Sequence, residues 1–158
     1  MNKKFKIILI FSFVFILNGC GYNKLNSAKN NNIHISEITL LGEQKIGYMI
    51  KSELLLSSSP NGENNIKLKL DVDKEKFIKE KSIRDKVKKY KNIITVELLI
   101  IEVSTNKEIK KKFTKETNYE AYDSKSRTMD VERRSIENTA ELLSDNIKDF
   151  INLNYKTK

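Results

Sequence analysis

Few residues in this 158-residue chain have side chains suited to chemistry. It holds one cysteine, Cys20, and one histidine, His34. A lone cysteine makes no internal disulfide and no cysteine-based metal site, and a lone histidine leaves no His–His metal pair. His34 is the one candidate for a histidine general base, a role that needs a nucleophile within hydrogen-bond reach. It falls in the apolar segment Ile33 to Leu41 and reads as an exposed or half-buried strand residue. Asp71, Asp73 and Glu75 lie two apart, so on a strand they share one face, where carboxylates can collect a divalent cation. However, Lys67 and Lys69 share that face, Lys74 and Lys76 intersperse it, and no glycine stands at Ca²⁺-loop spacing. The row reads as a solvated face. There is no glycine-rich phosphate loop. The candidate catalytic and metal sets are therefore empty, and the expectation is a binding protein rather than an enzyme.

The chemistry left to Cys20 is attachment. Lys3, Lys4 and Lys6 precede Ile7 to Leu17, an apolar run interrupted only by Ser12. At about 1.5 Å rise per residue such a run is too short to cross a hydrocarbon core of about 30 Å. It has the form of a secretory signal peptide. Leu17-Asn18-Gly19-Cys20 follows and resembles the lipobox of bacterial lipoproteins: a branched apolar residue, a tolerant position, a small residue, then cysteine. That resemblance implies cleavage between Gly19 and Cys20, a covalent lipid on Cys20 and no other cofactor. Gly21 follows in place of the aspartate that commonly retains such proteins at the inner membrane, which implies the outer membrane of a Gram-negative cell. One acyl chain anchors only marginally, whereas three hold a protein essentially permanently.

The chain carries 30 Lys and Arg against 21 Asp and Glu, a net charge of +9. A basic balance suits anionic partners, but an AT-rich genome yields the same excess of Lys, Asn and Ile. The outer-membrane address argues against nucleic acid. The anions available there are lipid phosphates, above all those of lipopolysaccharide. Two lysine clusters stand out, Lys86, Lys88, Lys89 and Lys91 before the most apolar segment, and Lys110, Lys111 and Lys112 after it. Each is either a phosphate contact or a solvated lysine surface.

These residues must be positioned by a small domain. Residues 1–19 are the expected signal peptide, 20–32 a lipidated cysteine and polar tether, and 33–158 a single domain. Ile33, Ile35, Ile38 and Leu40 mark a first strand whose alternation slips after Ser36. Ile46, Met49, Ile50 and Leu54 recur at helical spacing within Gly42 to Ser57. The turn cluster Ser57 to Gly62 stops that helix. Ile66, Leu68, Leu70 and Val72 alternate with charged residues, as in a half-buried strand. Lys74 to Tyr90 continues the strand as far as Phe77 and then reads as loop. Ile93 to Val103 is apolar on both faces, as a central or bulged strand is. Glu108 to Tyr122 returns as a strand with Ile109 and Phe113 inward. Ile136, Ala140, Leu143, Ile147 and Phe150 stripe a long helix, about Arg127 to Leu153. The order β-α-β-β-β-α predicts an α+β two-layer sandwich, two helices on one face of a four-stranded mixed, largely antiparallel sheet.

Three stretches together resemble the LPS-assembly lipoprotein family. They are the GCGY lipobox, GEQKIGYMIKSELLLSSSP leading into IKLKLDV, and YEAYDSKSRTMDVERRSIENTAELLSDNIKDFI. The resemblance implies a lipid-anchored protein on the periplasmic side of the outer membrane. Its partner would be the lipopolysaccharide-transport β-barrel, whose lumen it plugs and whose assembly it assists. Lipopolysaccharide would be its ligand, with Lys110, Lys111 and Lys112 the first candidates for contact. The alternative is a non-catalytic lipoprotein adaptor of another envelope transport or secretion complex. We expect Cys20→Ser to abolish labelling by radioactive palmitate; retained labelling would sink the lipobox reading.

Overall fold

The computed structural model describes residues 32–155. Gly19, Cys20 and the rest of the expected signal and tether up to residue 31 lie outside the described residues. Asn32 is already tied down: its side-chain oxygen accepts from the Glu63 N–H at 3.1 Å and its carbonyl from the Asn64 N–H at 2.9 Å.

The elements are β1 (Ile33–Gly42), α1 (Gln44–Leu56), β2 (Asn64–Lys81), β3 (Val87–Glu102), β4 (Glu108–Glu120) and α2 (Lys125–Tyr155). They form a four-stranded sheet in the order β1-β2-β3-β4. The helix between β1 and β2 returns the chain to its starting end, so these neighbours pair parallel. The other two pairs are joined by short turns and run antiparallel. This is the expected two-helix, four-strand α+β architecture. The slip after Ser36 is a real irregularity, for the β1–β2 register shifts between Ile35 and Glu37. It keeps Ile33, Ile35 and Ile38 all buried on the helix side.

One apolar layer holds the sheet and the two helices together. Ile66, Leu68, Leu70 and Val72 of β2 and Ile94, Val96, Leu98 and Ile100 of β3 supply the sheet side. Ile46, Ile50 and Leu54 of α1 and Ala140, Leu143, Ile147 and Ile151 of α2 supply the helix side. The α2 stripe is as expected in its centre, with Ile136 and Phe150 half-buried at its margins and Ile151 an added member. Two buried hydroxyls in this layer are satisfied locally: Thr139 donates to the Ser135 carbonyl and Ser144 to the Ala140 carbonyl, each at 2.8 Å.

The expectation for Lys74 to Tyr90 needs correction. Past Phe77 the chain is not a loop; β2 runs to Lys81 and β3 begins at Val87. The β2 limb is exposed on both faces here and the β3 limb is at most half-buried, so no alternation marks them. Backbone pairing continues regardless, through Ile78↔Tyr90 and Lys81↔Val87. The tight turn closes with the Ser82 N–H donating to the Lys86 carbonyl at 2.7 Å and Asp85 at φ 60°.

Gly42 makes the sharp exit from β1, at φ 74° and with the Val72 carbonyl where a Cβ would sit. Gly47, by contrast, lies in α1 with 3.5 Å of clearance to the Leu40 methyls. Gly42→Ala is therefore expected to destabilise by more than 1 kcal/mol, whereas Gly47→Ala is neutral or stabilises by up to about 1 kcal/mol. Leu143→Ala, at a fully buried position, should cost about 2–5 kcal/mol. Urea midpoints of the three variants check this order.

Candidate functional site: a basic hairpin braced by a long helix

The residues singled out from sequence do not come together. His34 is half-buried, with Nδ1 3.2 Å from the Ser59 carbonyl, so its ring N–H can serve as a structural donor. Asp71, Asp73 and Glu75 line the uncovered sheet face, and among the described residues no group of three His, Cys, Asp or Glu is placed to hold a metal ion. Lys110, Lys111 and Lys112 alternate across β4. Lys111 pairs with the buried Leu98 and so points to the helix side, its ammonium 5.8 Å from the Phe150 ring centre. Lys110 and Lys112 point to the open side, 4.0 Å from Glu108 and 3.2 Å from Glu97. The run thus offers no single cationic patch.

The cations gather elsewhere. The β2–β3 hairpin from Lys74 to Lys91 carries nine Lys and Arg against three acidic residues. Residues 32–155 carry 23 against 21, so within that range the residues outside the hairpin are net negative. Lys74, Lys79, Arg84 and Lys88 make no ion pair among the described residues. At the tip Ile83 is fully exposed, and Phe77 and Ile78 are about half exposed. The result is a cationic arm with an apolar point, a combination suited to an anionic amphiphile. The Lys86 to Lys91 cluster is one limb of it; the other limb is the end of β2, whose residues past Phe77 carry no strand alternation.

The arm is braced by α2. Its first turn is capped by Ser124, whose Oγ accepts from the Arg127 N–H at 3.4 Å. Thr128 Oγ1 accepts from the Tyr122 N–H at 2.9 Å, and the Arg127 guanidinium lies 4.0 Å from the Tyr122 ring centre. Further along, Lys76 Nζ donates to Glu132 Oε2 at 2.7 Å. The same ammonium sits 4.4 Å and 5.4 Å from the ring centres of Tyr90 and Tyr119, which stack on each other. Thr117 and Ser135 share a 2.6 Å hydroxyl bond.

Charge and burial oppose each other in this cluster. Burial pushes the Tyr119 phenol up, to about 12, with the Glu132 carboxylate adding to the rise. Burial alone would also raise Glu132, but its contacts with Lys76 and Tyr119 outweigh that and hold it below its usual value. Burial would lower Lys76, yet Glu132 and Tyr119 together keep it above its usual value. The Tyr119 hydroxyl is close enough to feel both charges but makes no hydrogen bond of good geometry.

No protein-family profile matches the sequence, and no curated protein matches it. The fold does have solved counterparts. It is similar to the rare lipoprotein B of Shewanella oneidensis, with a TM-score of 0.56 at 13% identity over 73% of this chain and 92% of that one. It is similar as well to a putative lipoprotein of Caulobacter crescentus CB15, with a TM-score of 0.52 at 16% identity over 70% and 83% of the two chains. Identities this low establish a shared fold, and both of these proteins are bacterial lipoproteins.

The pH dependence follows from the signs. A lowered Glu132 contributes stability that is complete above the ordinary carboxylate value and lost as pH falls through the lowered one. A raised Lys76 and a raised Tyr119 contribute stability that is complete below their ordinary values and lost as pH rises through the raised ones. Glu132→Gln is expected to remove part of the acid-side loss, on the order of 1 kcal/mol or less because water screens a half-exposed pair. Urea midpoints between neutral and acidic pH measure it; an unchanged acid limb would refute the assignment.

Proposed function

We propose that the chain is an outer-membrane lipoprotein, anchored on the periplasmic side through a lipid on Cys20. Its folded domain plugs the lipopolysaccharide-transport β-barrel, assists its assembly and binds lipopolysaccharide during insertion. The chemistry is recognition rather than catalysis. The observation that carries the reading is the β2–β3 hairpin, where the excess positive charge is concentrated around an exposed Ile83. Phosphates at the base of an amphiphile suit the lysines, and its acyl region suits the isoleucine. The GCGY lipobox and the fold shared with bacterial lipoproteins support the same reading.

The open sheet face suits a polar barrel interior. Its charges are largely paired across strands, as in Lys67–Glu37 at 3.0 Å, Lys112–Glu97 at 3.2 Å and Lys91–Glu116 at 3.4 Å. Half-buried Ile93, Leu99 and Ile101 lie between them on β3. A neutralised face of this kind contacts polar walls without a strong net field, leaving the hairpin as the electrostatic probe.

The test uses the full lipoprotein in detergent. It should copurify with a large outer-membrane barrel and bind lipopolysaccharide in a salt-dependent manner. Lys79→Gln/Arg84→Gln/Lys88→Gln removes three unpaired cations, each worth about 1 kcal/mol near an anionic surface, so binding should fall on the order of a hundredfold. Lys110→Gln/Lys112→Gln should bind nearly as the parent does. Equal binding by the hairpin variant would overturn the assignment of the hairpin.

A further inference from the structure

The apolar layer does not reach the hairpin. None of residues 125–138 of α2 is buried; the first buried positions are Thr139 and Ala140. Beneath this half of the helix, the rung Lys76↔Asn92↔Thr117 replaces the apolar rungs nearer the centre. Asn92 is fully buried, and neither atom of its amide has a hydrogen-bond partner. The neighbouring Tyr119 is 4% exposed, and its hydroxyl is likewise unbonded. Buried polar groups are normally paired, so two adjacent unpaired donors call for a ligand. The third donor here, Lys76, is already engaged, by the Glu132 carboxylate at 2.7 Å.

We propose that Lys76, Asn92 and Tyr119 form a latent anion site under the first half of α2, that Glu132 fills it as an internal carboxylate, and that a phosphate-bearing amphiphile displaces Glu132. The displacement rests on the hairpin being the lipid-binding element. An ammonium, an amide N–H₂ and a phenol are three donors of the kind a phosphate accepts from, whereas the Glu132 carboxylate, bonded to Lys76 and beside the Tyr119 phenol, leaves the Asn92 amide without a partner. Tyr90 and Tyr119 give the Lys76 cation an aromatic floor. Lys74 on the same strand adds a second positive charge that acts on Glu132. The helix can leave because few polar contacts hold it there, chiefly Lys76–Glu132, Thr117–Ser135 and Tyr122–Thr128. Its buried half, from Thr139 onward, stays docked on the apolar layer.

The test combines amide hydrogen exchange and vesicle binding on the full lipoprotein, with phosphatidylglycerol vesicles as probe and phosphatidylcholine as control. Glu132→Gln should accelerate exchange across residues 125–134 by tenfold or more and leave 139–151 protected. It should also bind the anionic vesicles severalfold tighter. Asp130→Asn removes a carboxylate from the same turn of helix but outside the site, and should do neither. Asn92→Leu should abolish the gain in affinity in the Glu132→Gln background while preserving the fold. Exchange and affinity unchanged in Glu132→Gln, or matched by Asp130→Asn, would overturn the latent site. Failure of the hairpin reading is distinguishable: Lys79→Gln/Arg84→Gln/Lys88→Gln would then bind the vesicles as the parent does.

Discussion

The burial of a single apolar layer between one face of the sheet and two helices governs the molecule, and the layer is shorter than the elements it joins. It is continuous from Ile66 through Val72 on β2 and from Ile100 to Ile94 on β3. Lys74 already stands opposite Ile94, and one rung further Lys76 and Asn92 take the inward positions. The hydrophobic contribution therefore fixes α1 and the second half of α2 strongly and leaves the hairpin and the first half of α2 to polar contacts. Stability is unevenly distributed by construction, which is the usual situation for elements that bind or move.

Charge follows the same division. The body of the domain is close to neutral or slightly acidic, and several of its sheet-face charges are paired across strands. The hairpin is strongly basic, and several of its cations are unpaired. A like-charged arm repels itself and is costly to embed in an apolar core, so it extends as a wet two-stranded ribbon. The same property makes it available to an anionic partner. The Glu132 carboxylate joins body and arm electrically through Lys76, as Glu116 and Asp123 do through Lys91 and Lys86.

Much of this architecture was legible in the sequence. The alternation of Ile66, Leu68, Leu70 and Val72 and the stripe through Ala140, Leu143 and Ile147 each point to one buried face, and each is buried. The irregular spacing after Ser36 announced the register shift in β1. The hairpin stalk was not legible, because periodicity reports burial and a strand wet on both faces has none. Its pairing is carried by backbone hydrogen bonds, which leave no trace in side-chain pattern. For the same reason the candidate site was only half seen: Lys86 to Lys91 stood out, while Lys74 to Arg84 were read as strand end and loop.

The sequence by itself determined the two-layer class, the buried faces of the helices and strands, and the candidate lipid attachment at Cys20, since all of these are local patterns of residue type. Tertiary structure alone decided which lysines act together. Strand alternation places Lys111 on the side opposite Lys110 and Lys112, and antiparallel pairing folds the basic stretch Lys74 to Lys81 back along Val87 to Lys91, so that the two form one arm. It also decided that Asn92 and Tyr119 would be buried without partners beneath α2. Electrostatic and hydrogen-bond relations depend on distance in space, and residues far apart along the chain become neighbours only when the sheet is assembled.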